Sequence, residues 1–319
     1  MKSFSIIGAR GAVGKEIFKL LKTEFEYPLI KLYGSKRSAG KYLDNIKIEE
    51  YKREQPLNTD ITFLAVDGEF SKNESPFILN NCNTTIIDNS SAFRYDNDIP
   101  LIIPEINPSS IKNSKIIANP NCTTAIGIIP VYHINNKYGV KKMLVSSYQA
   151  ASGAGEAAME ELTIQTKAYV NNEPLKNNEF DYPLLFNLIP KIDDVLENNY
   201  TKEEMKVVWE TRKILNIPDM AISCTAVRIP VMRSHSLSIH LEVENKINSK
   251  KEIEEILKDK AGINLCEYPM PINSTKKNNV NVGRIRMSNV FKNGVEIFVS
   301  GDQLLKGAAL NSVQIAKLL

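Results

Sequence analysis

The sequence predicts an α/β protein whose N-terminal half carries a parallel sheet and whose C-terminal half is α+β. Three observations lead there. A short apolar run ends in a glycine-rich turn that opens into apolar residues at helical spacing; further short apolar runs alternate with polar segments; and beyond residue 143 the strand-like runs lengthen, with helical stretches between them. The 319 residues are enough for two domains. Lys and Arg total 40 against 37 Asp and Glu, so a net charge of +3 gives no broad electrostatic basis for holding nucleic acid or an anionic membrane. The composition, 43% hydrophobic and 24% charged, excludes a chain that stays disordered.

The elements follow in order. Residues 3–7 read as a strand; Gly8-Ala9-Arg10-Gly11-Ala12-Val13-Gly14 is the turn; and Val13, Ile17, Leu20, Leu21 and Phe25 mark the following helix. Strands are expected at 29–33, 61–66 and 85–88, and a strand-like piece at 116–118 leads into an apolar helix beginning near Cys122. Later come a strand at 143–148, helices at 155–170 and 201–215, strands at 221–229 and 236–243, a helix at 249–260, and strands at 280–287 and 294–299. The helix expected at 304–319 packs back on the first domain. Domain limits are placed at 1–120 and 121–303, with 304–319 as the returning segment.

No stretch approaches the roughly 18 apolar residues of a membrane span, and the first apolar run is too short for a signal peptide, so a cytoplasmic protein is expected. The four cysteines stand far apart, which suggests neither a disulfide framework nor a CxxC zinc site; reduced thiols and no metal are expected.

Glycines between a first strand and a helix let the backbone approach a pyrophosphate, and the free amides of the helix start receive its charge. The spacing here is Gly8-x-x-Gly11-x-x-Gly14. The second strand runs into Gly34-Ser35-Lys36-Arg37-Ser38-Ala39-Gly40, where the acid that binds the ribose of NAD is missing and cations stand instead. Arg37 with Ser35 and Ser38 suits a 2′-phosphate, so NADP is the expected cofactor.

Cys122 lies where an apolar strand-like piece meets Asn119-Pro120-Asn121 and a helix begins. A thiol at a helix N-terminus is favoured as thiolate and hence as nucleophile. Cys82, Cys224 and Cys266 read as small buried hydrophobes. The histidines are His133, His235 and His240. His235, on a loop between two strands, is the candidate acid/base partner; His133 belongs to an apolar helix, and His240 sits within a strand where alternation turns it elsewhere.

Eight segments in order carry a resemblance to the bacterial aspartate-semialdehyde dehydrogenase family over nearly the whole chain. They are the glycine turn from Gly8 to Gly14, Ser35 to Gly40, Asp88-Asn89-Ser90-Ser91-Ala92-Phe93-Arg94, Asn119-Pro120-Asn121-Cys122-Thr123-Thr124, Tyr148-Gln149-Ala150-Ala151-Ser152-Gly153-Ala154-Gly155, Tyr200 to Lys206, Arg228 to Ser236, and Lys306-Gly307-Ala308-Ala309-Leu310-Asn311. The resemblance implies a Rossmann-type NADP-binding domain, an α+β catalytic and dimerisation domain, a homodimer, and reduction of L-aspartyl 4-phosphate to L-aspartate 4-semialdehyde with release of phosphate, in the biosynthesis of lysine, diaminopimelate, threonine and methionine. It implies Cys122 as the nucleophile that forms a thioester, His235 as acid/base and Gln149 as the residue orienting the acyl group. Arg94, Lys206 and Asn121 fall at substrate or phosphate positions, and Arg228 and Glu204 at those gripping the amino-acid carboxylate and ammonium. Cofactor contacts carry over to Gly8, Arg10, Gly11, Ala12, Val13, Ser35, Arg37, Ser38, Ser152, Gly153 and Gln303. Two positions depart from the family pattern: Arg10 stands where Thr is more usual, and Gln303 where Asn is.

The residue types match the chemistry. A thiolate splits acyl-phosphate reduction into two easier steps, and a substrate with a phosphate, a carboxylate and an ammonium calls for cations at two places and an acid at a third. Two other readings exist: an enzyme like N-acetyl-γ-glutamyl-phosphate reductase, for which an acid at the amine is unhelpful, and a nucleotide-binding regulator without turnover, for which Cys122 and His235 have no use. Glu204 and Lys206, two apart on a helix, cannot share one line of the surface.

Overall fold

A computed structural model describes residues 2–319, which divide into two compact units: one formed by the chain up to Asn121 together with Ala308–Leu319, the other by Cys122–Gly307. No described helix is long and apolar enough to cross a membrane.

The first unit holds β1 (Ser3–Ile7), α1 (Ala12–Glu24), β2 (Leu29–Gly34), β3 (Tyr42–Leu43), β4 (Ile46–Glu50), β5 (Ile61–Leu64), α2 (Gly68–Asn81), β6 (Thr85–Asp88) and β7 (Ile116–Ala118). Its seven-stranded sheet has the order β3-β4-β2-β1-β5-β6-β7, parallel except where β3 pairs with β4 at the edge. The central strands are almost wholly buried because both faces are covered. Phe4 and Ile6 pack with Ile17 and Leu21 of α1 and with Val313 and Ile315 of the C-terminal helix Leu310–Leu318, as expected for a helix that packs on this sheet. Ile7, one residue on, faces oppositely and meets Leu64, Ile78 and Ile86.

Two pieces of this unit have no counterpart among the elements the sequence predicts, as β11 (Ile263–Leu265) and α7 (Pro271–Ser274) of the other unit have none. The β3–β4 pair is one, since Ile46 and Ile48 alternate with charged residues too briefly to stand out. Helix α2 is the other: it buries little but Ser71, Ser75 and Ile78, contains Pro76, and is started by the Asp67 carboxylate accepting from the Phe70 N–H at 2.9 Å. A weak apolar stripe carries no periodic signal.

The second unit holds α3 (Cys122–Tyr138), β8 (Val140–Gln149), α4 (Glu156–Val170), α5 (Lys202–Leu215), β9 (Ala221–Arg228), β10 (His235–Val243), α6 (Lys250–Leu257), β11 (Ile263–Leu265), α7 (Pro271–Ser274), β12 (Val280–Met287) and β13 (Gly294–Gly301), then a π-helical turn at Leu305–Ala309. Its six strands run β11-β12-β13-β10-β8-β9, antiparallel at the centre and parallel at both ends. Helices α3, α5 and α6 pack on the sheet. On β8, Met143, Val145, Ser147 and Gln149 are buried while Leu144 and Tyr148 are exposed. The two-residue period therefore sends Gln149 inward.

Candidate active site

In the first unit the glycine turn is a cradle made by the absence of side chains. Gly8 has φ +88°, and a Cβ on it would collide with the carbonyl of Ala65. A Cβ on Gly14 would collide with the carbonyl oxygen of Gly8, so only glycine lets α1 lie this close to β1. Gly11 differs: its backbone is ordinary at φ −66°, and a Cβ would meet nothing nearer than 3.5 Å. It is the N-cap of α1, which has no side-chain cap and no acid in its first turn. An uncapped helix start free of carboxylates, beside exposed Arg10 and Gly11 and followed by half-buried Ala12 and Val13, fits a pyrophosphate.

Ser35, Lys36 and Arg37 are exposed just past β2, in a turn closed by the Ser38 and Ala39 N–H groups donating to the Ser35 carbonyl at 2.8 and 3.0 Å. Strand β2 ends in Tyr33-Gly34 without a carboxylate. Arg94 is buried; its Nε donates to the Asn119 carbonyl at 2.9 Å and its Nη2 to the Asn89 carbonyl at 3.0 Å. Asn119 is itself held by Asn311, whose Nδ2 donates to its Oδ1 at 2.8 Å, so the Asn119-Pro120-Asn121 segment is fixed, with Asn121 buried.

In the second unit Cys122 is the first residue of α3, where the helix dipole favours a thiolate. A Cβ on Gly307, in the π-helical turn, would lie 2.7 Å from the Cβ of Cys122. Only a glycine lets that turn pass over the cysteine. One turn further along α3, Ile126 packs against Gly301, the strand partner of His235. Three strand ends converge beside it. Gln149 closes β8, Arg228 closes β9 as its register partner, and His235 opens β10, next to Ser236, which pairs with Tyr148.

His235 and Arg228 are both gripped by Ala150. The Ala150 N–H donates to His235 Nδ1 at 3.0 Å, and Arg228 Nη1 donates to the Ala150 carbonyl at 2.6 Å. Complete burial, aided by the Arg228 charge, holds His235 well below the usual histidine range. Burial also pushes Arg228 down, against the pull of the Glu203 and Cys122 negative charges, and its guanidinium lies 5.8 Å from the Phe180 ring centre. Two buried donors, His235 Nε2 and Arg228 Nε, have no hydrogen-bond partner. An unmet buried donor costs about 1–3 kcal/mol, which a hydrogen bond to a ligand would offset. A Cβ on Gly153 would lie 3.0 Å from His235 Nε2 and 2.8 Å from Arg228 Nη1, so glycine keeps that space open.

Two expectations need correction. Glu204 is turned away from a substrate ammonium: its Oε2 accepts from the Thr201 N–H at 2.7 Å, closing the capping box of α5, and its Oε1 accepts from the Ala226 N–H at 3.0 Å. The acid that faces the other groups is Glu203. It accepts from Gln149 Nε2 and from Lys206 Nζ, each at 3.2 Å. The signal lay in the spacing, since residues three apart on a helix are neighbours and residues two apart are not. Lys206 also donates to Asp193 at 2.7 Å; burial opposes its charge, yet the Glu203 and Asp193 carboxylates outweigh that and hold its pKa above the usual range.

The second correction is Gln303. It is buried, its Oε1 accepts from the Ser234 N–H at 2.8 Å, and its Nε2 donates to Ser152 Oγ. It clamps the entry to β10, where Ser234 sits at φ +79°, to the turn holding Ser152 and Gly153. That is a positioning role, with both ends of its amide engaged inside this unit. Ser152 is correspondingly buried.

A parallel sheet with a glycine-lined nucleotide cradle, joined to a mixed sheet bearing a cysteine beside buried cations, defines a two-domain dehydrogenase. Family models agree: "Semialdehyde dehydrogenase, NAD binding domain" matches residues 3–114, and "Semialdehyde dehydrogenase, dimerisation domain" matches residues 133–306. The chain is 42% identical to the aspartate-semialdehyde dehydrogenase of Aquifex aeolicus over 99% of its own length and 97% of that protein, and 39% identical to that of Bacillus subtilis over 99% and 96%. Among solved structures, aspartate semialdehyde dehydrogenase II of Vibrio cholerae, described as complexed with ASA, superposes with a TM-score of 0.95 at 36% identity, covering 100% of this chain and 98% of that one. The chain belongs to the aspartate-semialdehyde dehydrogenase family.

Proposed function

We propose that the chain reduces L-aspartyl 4-phosphate to L-aspartate 4-semialdehyde and phosphate through a thioester on Cys122, in amino-acid biosynthesis. The observation that carries this reading is the pair of unpartnered buried donors, His235 Nε2 and Arg228 Nε, in the unit that also holds Cys122 at a helix start. The Cys122 thiolate attacks the acyl carbon and expels phosphate. Arg94 and Lys206 hold the phosphate, with Asn121 beside the nucleophile. Arg228, which stays cationic despite its burial, takes the α-carboxylate through parallel hydrogen bonds. Glu203 takes the α-ammonium, and Gln149, anchored by Glu203 and by Ser147 Oγ at 3.2 Å, orients the acyl group. His235 is the acid/base group that manages the proton at the acyl oxygen.

NADPH, when bound at the glycine turn, supplies the hydride that reduces the thioester. NADP rather than NAD is supported by the missing acid after β2 and by exposed Arg37 beside Ser35 and Ser38. Arg10 lies at the exposed lip of the same turn. A homodimer is supported by the dimerisation-domain match and by the exposed Leu144, Tyr148 and Met287 of the mixed sheet. A cytoplasmic setting is in keeping with four free cysteines.

The test is spectrophotometric. Purified protein with L-aspartate 4-semialdehyde, phosphate and NADP should form NADPH, and omission of phosphate should stop it. Cys122→Ser should still bind NADP while losing turnover by about 10⁴-fold or more. Turnover within tenfold of the parent would overturn the thioester.

A further inference from the structure

We propose that Glu161 and Gln165 of α4 are positioning residues for the amino-acid end of the substrate: they hold the segment 171–200 so that its Phe180 bears on Arg228. The proposal rests on the functional reading above, which gives Arg228 the α-carboxylate, and deepens it.

Helix α4 meets this segment with apolar side chains and a polar pair. Met159 and Leu162 pack with Ala151 and with Phe180, Leu184, Leu185 and Ile189. Glu161 and Gln165 are buried, one turn apart on the same side of the helix. Between α4 and α5 the described residues 171–200 form no helix or strand. A connection of more than roughly 15 residues without secondary structure is usually functional or disordered; here side chains of α4 supply partners that a ladder would otherwise provide. Gln165 uses both ends of its amide. Its Oε1 accepts from the Leu184 and Leu185 N–H groups at 2.9 Å each, and its Nε2 donates to the Lys176 carbonyl at 2.9 Å and to Glu161 Oε1 at 3.2 Å. Glu161 Oε2 accepts from the Asn178 and Glu179 N–H groups at 2.5 and 2.7 Å. Bonds to an ionised acceptor are the stronger kind. The two side chains therefore fix the chain on both sides of Phe180.

The segment so held reaches two residues of the substrate site. Ile189 exchanges both backbone hydrogen bonds with Arg228 at 2.9 Å, and Asp193 accepts from Lys206 Nζ at 2.7 Å. The Ile189 pairing fixes only the backbone of Arg228. Phe180 touches the charged end: its ring centre lies 5.8 Å from the guanidinium carbon, where the ring attracts the cation and keeps water from it. A substrate carboxylate is present before, during and after the chemical step. Misalignment of Arg228 therefore weakens ground state and transition state alike, which raises KM and leaves kcat nearly unchanged.

The test has a kinetic arm and a substrate-free arm. In Phe180→Ala and in Gln165→Ala, KM for L-aspartate 4-semialdehyde is expected to rise about tenfold, with kcat within about threefold of the parent and NADP affinity unchanged. The double variant is expected to be no worse than the poorer single one, because the amide acts through the ring. Glu161→Ala should raise KM similarly, and Glu161→Gln, which keeps an acceptor for the two N–H groups, should restore part of the loss. An unchanged KM in Phe180→Ala overturns the proposal, as do single effects that multiply in the double variant. So does a lower melting temperature with unchanged KM in Gln165→Ala, since that is the mark of a structural prop alone. Phe180 is half-buried and makes no side-chain hydrogen bond, so its variant decides the matter even if Gln165→Ala does not fold. In the second arm, modification of Arg228 by phenylglyoxal is followed by mass spectrometry without substrate. It is expected to run several-fold faster in Phe180→Ala and Glu161→Ala than in the parent, and equal rates count against the proposal. A parent that shows no phosphate-dependent reduction of NADP would sink the functional reading, while this arm still reads whether the segment covers Arg228.

Discussion

The two units hold their ligands by opposite means. In the first, the glycine turn works through backbone: Gly8, Gly11 and Gly14 leave room, and the uncapped start of α1 offers its amides. In the second, buried side chains are locked against one another, with Glu203 between Gln149 and Lys206, and with Ala150 between His235 and Arg228. The first kind of site is broken by adding atoms. The second is broken by removing charge or a single donor.

The sharpest test of the backbone site compares two of its glycines. Gly8→Ala should cost about 3 kcal/mol or more, because φ +88° and the Ala65 carbonyl both oppose a Cβ. Gly11→Ala should fold like the parent, since its φ of −66° suits any residue, yet bind NADP about tenfold or more weakly because the methyl occupies the ligand's approach. Urea denaturation and nucleotide titration together read both. Equal stability of the two variants would remove the distinction between a glycine needed by the fold and one needed by the ligand.

For the side-chain site the corresponding pair is Glu203 and Glu204. Glu203→Gln should lower kcat/KM about 100-fold with little change in melting temperature, because it removes the charge facing Lys206 and the substrate amine. Glu204→Ala should cost about 1–2 kcal/mol of stability through loss of the α5 cap, with kcat/KM of the folded protein within several-fold of the parent. Smaller again is Arg37→Ala, for which NADP binding should weaken about tenfold while NAD binding is unchanged. Equal weakening for both nucleotides would show that Arg37 does not read the 2′-phosphate.

The same contrast explains what could be read from the chain alone. The glycine turn, the central strands and the helices at 155–170 and 201–215 are legible because local spacing and apolar runs carry them. Cys122 and His235 stand out by residue type and flanking sequence, and Gln149 and Arg228 through the segments that resemble the family. Glu203 did not stand out from its neighbour, although the spacing separates them: Thr201-x-x-Glu204 is a local capping box, and Glu203 stands three before Lys206. Gln303 differs in having no local signal, since its partners Ser234 and Ser152 lie 69 and 151 residues away. Gly307 gives no sign of its contact with Cys122 for the same reason.

Acid should separate the two units. Burial holds His235 well below the ordinary histidine value, and half-burial, with a lesser push from Lys260, lowers His133; both lie in the second unit. The unfolded chain therefore takes up protons that the folded unit refuses. Stability from these groups is complete above about pH 6.5 and falls as pH drops below it, by at most about 1.4 kcal/mol per pH unit for each histidine. In the first unit the shifts of Asp60 and Glu74 are downward, through Ser3 and Arg53 respectively, and their stabilising effect is lost only as pH falls below about 4. Asp88, pushed up by burial, works in the opposite sense, since its folded form is the readier to take a proton. Between about pH 7 and pH 5.5 the second unit alone should weaken. Trp209, the single tryptophan, lies on α5 in that unit, so its fluorescence in urea reads the effect where it occurs. The expected result is a midpoint that falls with acid in the parent and falls less in His235→Asn. An unchanged slope in the variant would mean that the imidazole is not the proton acceptor of the unfolded chain in this range, and the buried, neutral ring would lose its thermodynamic signature.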